Sequence, residues 1–234
     1  VRRQAQSWVS EKLDQPVRLS KLTWGWRGGP FLRVQDVRIG GEGLRIGELG
    51  LRIRPWALLQ GELDLSGAEL SGLELTLRRD QKGRLWAGRF QVKPERNRVL
   101  SRIARLDHFR VREGRLTWID EAIPGSPSVT LREWRLTLRR SEGAFRVQAQ
   151  GLSGGGRVEA RGRLADLGAG PKEWNLDVRT RAKDLAVSHL LAYLGPEAPE
   201  DLEGRFGWQA KLSGSFREEL RAEGRLRLKP GTLV

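Results

Sequence analysis

Cysteine and methionine are absent from the 234 residues, histidine occurs twice and tyrosine once. Without cysteine there are no disulfides, thiolate metal sites or cysteine nucleophiles, and the absence is neutral about compartment. His108 and His189 are the only imidazoles, so a histidine metal cluster is not expected. Methionine is missing even at position 1, which reads as a processed or trimmed piece; the ending GRLRLKPGTLV, which stops in mid-alternation, reads the same way. No window approaches the roughly 18 to 20 consecutive apolar residues of a membrane-spanning helix, and no signal peptide opens the chain. As given, the sequence reads as soluble.

The 38% hydrophobic content is enough for one large domain or two small ones. The 29 glycines stand well above the usual level of about 7%, with ordinary proline, which suits bulges and turns in a twisted sheet. Formal charge is +14, carried by 43 basic residues of which only eight are lysine. Such a balance invites a polyanion, nucleic acid or anionic headgroups. Its distribution is more restrained. In RVEARGRL, Val158, Ala160, Gly162 and Leu164 share one parity, and Arg157, Glu159, Arg161 and Arg163 share the other. That is the polar face of a half-buried strand.

Residues 1–15 carry a helical pattern that Pro16 stops. From Val17 the period becomes two. Strands are expected near 17–24, 31–39, 44–54, 61–70, 72–79, 84–92, 107–112, 115–119, 128–139, 143–150, 156–164, 173–181, 205–213 and 219–228, with short helices at 98–105 and 185–194. Short turns between strands favour an antiparallel meander over βαβ alternation. The charged KPERN linker suggests a division into 1–93 and 94–234, the second segment continuing the same sheet. In GELDLSGAELSGLELTLRRD, Leu63 and Leu65 share one parity, Ala68 and Leu70 the other, and Leu73, Leu75 and Leu77 return to the first. Bulges or a tight kink at Ser66-Gly67 and Ser71-Gly72 would keep all of them on one side of a curving sheet.

Catalytic patterns fail on context. GLSGG at 151–155 fits G-x-S-x-G, but strands flank it on both sides where a nucleophile elbow needs a following helix, so Ser153 is read as part of a hairpin turn. IGGEGLRIGELG misses the dinucleotide fingerprint at Ile46, and no P-loop is present. Asp120 and Glu121 would point to opposite faces of a strand and suit a turn terminus, and His189 falls in an apolar segment. Neither enzyme activity nor a metal or cofactor is expected. No recognition helix or aromatic-basic sheet face supports nucleic-acid binding.

Of nine tryptophans, Trp118, Trp134, Trp174 and Trp208 fall in register with apolar neighbours and read as core or groove residues. Trp24, Trp26 and Arg27, with Trp8 upstream, read either as contacts at a membrane interface or as a capped sheet end.

The opening amphipathic segment followed by PVRLSKLTWGWRGGPFLRVQDVRI and LRIGELGLRIRPWALLQGELDLSGAELSGLELTLRRDQKGRLW resembles the amino-terminal module of the AsmA-like proteins of Gram-negative bacteria, the YhdP branch in particular. RIARLDHFRVREGRLTWIDEAIPGSPSVTLREWRLTLRR is similar to the next part of that pattern. The anchor helix and the long β-structure that such a family member carries before and after these segments are not in the sequence. The resemblance implies a non-enzymatic periplasmic protein anchored to the inner membrane, related in architecture to TamB and the chorein-type bridges. It implies a long twisted antiparallel sheet curled into an apolar groove that helps move phospholipid toward the outer membrane, with other envelope proteins as further partners.

The residues themselves ask for something compatible, because low helical content leaves little to cover so much one-sided apolar surface. Either two sheets pack shut or acyl chains fill the concavity. The expected lining is Leu51, Ile53, Leu63, Leu65, Leu73, Leu75, Leu77, Leu116, Trp118, Leu136, Leu138, Val158, Leu164, Leu176, Val178, Phe206 and Trp208. A non-conducting assembly protein and a basic nucleic-acid-binding module are the alternatives.

Overall fold

A computed structural model describes residues 17–26, 29–39, 44–60, 64–88, 90–91, 103–167, 173–188, 204–215 and 219–230. Its elements are β1 (Val17–Arg18), β2 (Lys21–Trp26), β3 (Pro30–Ile39), β4 (Leu44–Ile53), α1 (Pro55–Leu59), β5 (Leu65–Arg79), β6 (Leu85–Ala87), β7 (Phe90–Gln91), β8 (His108–Asp120), β9 (Ser128–Ser141), β10 (Ala144–Ser153), β11 (Gly156–Ala165), β12 (Asn175–Ala186), β13 (Gly204–Ser215) and β14 (Glu219–Pro230). All fourteen strands join one sheet. Its main path runs β1, β3, β4, β5, β8 and then β9 to β14 in chain order, with β2 beside β1 on the β3 edge and β6–β7 as a side ladder on β5. Eleven strands abreast extend about 48 Å at ~4.8 Å per strand, less than fourteen would if all lay side by side.

The meander is interrupted once. β5 and β8 pair in parallel, Gly67 opposite His108 through Arg79 opposite Asp120, while every other pair is antiparallel. The sheet is therefore mixed, which corrects the wholly antiparallel expectation. After β5 the chain has to travel back along the sheet before β8 can start at the same end, the crossover that parallel neighbours require. Both ends of this joint are pinned. Arg54 bridges Asp64 and Asp107 at the start, and at the finish Arg79 and Arg78 each grip a carboxylate with two hydrogen bonds, Asp120 and Glu121 respectively. Asp120 and Glu121 thus close a strand end. The 93/94 boundary lies outside the described residues, and β5 and β8 on either side of it share the sheet.

Residues 1–16, with the expected first helix, lie outside the described residues. Of the 98–105 helix, Ile103–Arg105 is described as a single turn, closed by Leu106 N–H donating to Ile103 O at 3.0 Å. Leu185 and Ala186 are strand rather than helix, because Leu185 pairs with Phe206 beyond a bulge at Lys183-Asp184; the segment from His189 lies outside the described residues. The five-residue α1 was not foreseen. The expected strand pairs 61–70/72–79 and 107–112/115–119 are each one bent strand.

The two slips in β5 have different causes. Ser66 is an inserted residue, since Arg52 pairs with Gly67 but Ile53 with Leu65. At Gly72 nothing is inserted. Its φ of 63° lies in the left-handed region, which glycine enters without cost and which turns the side-chain alternation over. Register places Gly72 opposite Gly47 on one side and Glu113 on the other, and Gly47 opposite Asp36. Asp36 and Glu113 also have positive φ, as does the bulged Glu133 on β9. A crease therefore crosses β3, β4, β5, β8 and β9, and on each strand it returns apolar residues to the same side. Val34 and Val37 of β3 pack in one cluster with Ile46, Leu73 and Val111.

At the crease the Trp134 indole lies against Gly114, where an added Cβ would come within 2.1 Å of Nε1. Gly114→Ala is expected to lower unfolding stability by about 1–3 kcal/mol through overpacking, measurable by urea denaturation.

Candidate functional site

Directly paired residues on adjacent strands share a face, so the register can be followed across the sheet. From β4 to β9 one face carries Leu51, Ile53, Leu65, Leu73, Leu75, Leu77, Leu116, Trp118, Leu136 and Leu138. From β10 to β14 it continues through Val158, Leu164, Leu176, Val178, Phe206 and Trp208 to Leu220, Leu226 and Leu228. Every described member of the expected lining is on this one face; Leu63 lies outside the described residues. Their burial is uneven. Ile53, Leu73, Leu138, Leu164 and Phe206 are buried, whereas Leu51, Leu75, Leu77, Leu116, Trp118, Val158, Leu176, Val178 and Trp208 stay partly open.

The face also has relief, which single-strand parity does not show. Ala149, Ala160, Thr180, Ala210 and Gly224 are aligned across β10 to β14, a row of small residues in mid-strand. Toward one margin stand Phe145, Leu164 and Leu176, and toward the other Trp208 and Phe206, whose rings stack at 5.9 Å. With Val178 and Leu212 on one side of it and Val158 and Trp208 on the other, the row of small residues is the lowest line of the face, a shallow trough along the sheet. Within it Trp208 Nε1 donates to Thr180 Oγ1 at 3.2 Å, and that hydroxyl donates to Ala210 O at 3.4 Å. From β5 to β14 the charged residues in register on this face are Arg79 and Asp120, bound to each other at one margin, and Arg140 at the other. The Arg140 guanidinium donates to Leu106 O and Ala104 O and lies over the Phe145 ring at 5.2 Å.

The opposite face is polar. Arg139, Arg146, Arg157, Arg161, Arg163, Arg179 and Arg181 all lie on it in register. On this side the His108 imidazole fills the space above Gly67. Burial pushes its pKa below 6.5, and the positive charges of Arg52 and Arg110 push the same way. Above about pH 6.5 folded and unfolded chains both hold it neutral and it contributes nothing; as pH falls through that value the unfolded chain takes the proton first and stability declines. His108→Gln is expected to reduce this decline, read from denaturant unfolding at about pH 8 and about pH 5. Asp80, at the end of β5, lies far below the usual carboxylate range. Desolvation opposes that shift, but hydrogen bonds from Trp86 Nε1, the Arg84 backbone and side chain, and the Lys82 N–H outweigh it.

Trp24 and Trp26 are 54% and 71% exposed on the edge strand β2, and Trp56 of α1 is 77% exposed. Trp8 and Arg27 lie outside the described residues. Ser153 closes a hairpin, paired with Gly156 across Gly154-Gly155, as its flanking alternation requires. Among the described residues no cluster of three His, Asp or Glu side chains is placed to hold a metal ion, and no helix is long and apolar enough to cross a membrane.

A family model described as YhdP protein matches residues 1–233. No curated protein sequence matches the chain.

Proposed function

The chain belongs to the YhdP family, and from that premise we propose that its trough carries phospholipid acyl chains between the inner and outer membranes of a Gram-negative envelope. The family itself suggests an envelope protein; periplasmic placement, inner-membrane attachment and transport are part of the proposal. The observation that carries it is the unbroken apolar face from β4 to β14, left partly open along its length. Two tails of about thirty methylenes cost more than about 20 kcal/mol in water at ~0.8 kcal/mol per CH₂. A trough of leucine, valine and aromatic side chains removes much of that cost while the headgroup stays in solvent at the open side. Passage along it needs no residue-specific chemistry, only repeated weak apolar contacts, and the proposed role is accordingly non-enzymatic.

Photo-crosslinking residues at Leu75 and Val178 are expected to trap phospholipid, identified by extraction and mass spectrometry. Trapping of protein or of nothing at both positions would favour the second reading, a non-conducting assembly protein whose apolar face is covered by another polypeptide.

A further inference from the structure

The polar face is not uniform, and the difference lies in how its facing cations are paired. On its first half arginines face one another, Arg18 opposite Arg38 and Arg38 opposite Arg45, but carboxylates lie among them: Asp36 is 3.4 Å from Arg38 and 3.5 Å from Arg45, Arg33 Nε is 3.2 Å from Glu48 Oε1, and Arg112 Nε is 2.6 Å from Glu69 Oε1. On its second half like charges are set directly opposite one another. Arg139, Arg146 and Arg163 form one row across β9, β10 and β11, and Arg161, Arg179 and Lys211 form the next across β11, β12 and β13. All six side chains are exposed. Acidic residues stand at the row ends, where Asp177 is opposite Arg163 and Glu223 opposite Lys211. Arg163 also has Glu142 at 3.9 Å and Lys211 has Asp177 at 3.5 Å, while among the described residues Arg139, Arg146, Arg161 and Arg179 form no ion pair.

Like charges directly across a sheet destabilise it, and opposite charges there stabilise it. On the first half the facing arginines Arg38 and Arg45 share Asp36, whereas among the described residues Arg139, Arg146, Arg161 and Arg179 have no carboxylate of this chain paired with them. We propose that these two rows are a docking surface for an acidic protein, whose carboxylates supply the missing partners.

Three features select that occupant. Five of the six cations are arginine, whose planar fork takes a carboxylate through two hydrogen bonds and which is enriched at protein interfaces. From β9 to β13 this face carries no aromatic side chain in register, so bases of a single-stranded nucleic acid have nothing to stack on. Its one large apolar residue there, Leu152, is 37% exposed, which is too little to insert into a bilayer. The inference does not depend on what the trough carries, since the rows lie on the other face.

The test compares the protein with Arg146→Gln/Arg161→Gln/Arg179→Gln, using poly-L-glutamate, a single-stranded oligonucleotide and anionic phospholipid vesicles as probes. The triple variant is expected to lose about tenfold or more of its poly-L-glutamate affinity at low salt. Its melting temperature should stay the same or rise, because repulsion has been removed. Arg38→Gln/Arg45→Gln, whose arginines flank Asp36 elsewhere, should leave affinity unchanged. Unaltered poly-L-glutamate binding by the triple variant would overturn the proposal. So would a fall in its melting temperature, which would make the arginines structural. Tighter binding of the oligonucleotide or the vesicles through the same three arginines would also overturn it, by showing a surface that reads phosphate.

Discussion

Ala160→Asp is expected to strip the protein of phospholipid and leave it folded. Ala160 lies in the row of small residues between Ala149 and Thr180 and is only partly buried, so a carboxylate there displaces no packed side chain. In the empty trough it would be hydrated. An acyl chain lying over it would have to remove that water, and the effective penalty for burying an unpaired charge is several kcal/mol. At ~0.8 kcal/mol per methylene, that offsets the burial of several methylenes. No cation in register on this face can neutralise the charge, because Arg79 and Arg140 are engaged at the margins. Phospholipid recovered per protein should fall about tenfold or more, by extraction and mass spectrometry, with thermal unfolding little changed. Arg161→Asp, one residue along on the opposite face, should leave the lipid load intact. Equal loads in wild type and Ala160→Asp would place any bound lipid away from this row.

The largest effect on stability is expected at the parallel joint. Asp120 is 2% exposed, receives two hydrogen bonds from Arg79 and accepts a third from the Ala122 N–H at 3.2 Å. Removing one partner of such a pair leaves donors and a charge without compensation, so Asp120→Ala should lower the unfolding free energy by about 2–4 kcal/mol. This is below the full cost of a buried pair because Arg79 is partly solvated. Arg79→Ala combined with Asp120→Ala should cost less than the sum of the two, the sign of direct coupling. Glu121→Ala breaks a pair with both partners about a third exposed and should cost about 1 kcal/mol or less. A flat response at Asp120 in chemical denaturation would show that the joint is held by its backbone ladder alone.

Much of the candidate site was readable one strand at a time. The alternation of Val158, Ala160, Gly162 and Leu164 with charged residues assigned the two faces of β11. The slips at Ser66 and Gly72 marked where β5 bends, and strands on both sides of GLSGG made Ser153 a hairpin residue. What was missed depends on segments far apart in the chain. Nothing local in residues 80–107 says that the strand after them returns to lie parallel to β5, because that choice is made by Leu70 meeting Val111 and Leu75 meeting Leu116.

By itself, then, the sequence determined that the chain builds a one-sided sheet, which side chains share a face, and where individual strands kink, since each follows from the two-residue period and from local backbone preference. Only the tertiary structure decided the mixed topology, the crease shared by five strands, the alignment of Ala149, Ala160, Thr180, Ala210 and Gly224, and the two rows of facing cations. Each of these is a property of register, and register is fixed by pairing between distant segments rather than by any one of them.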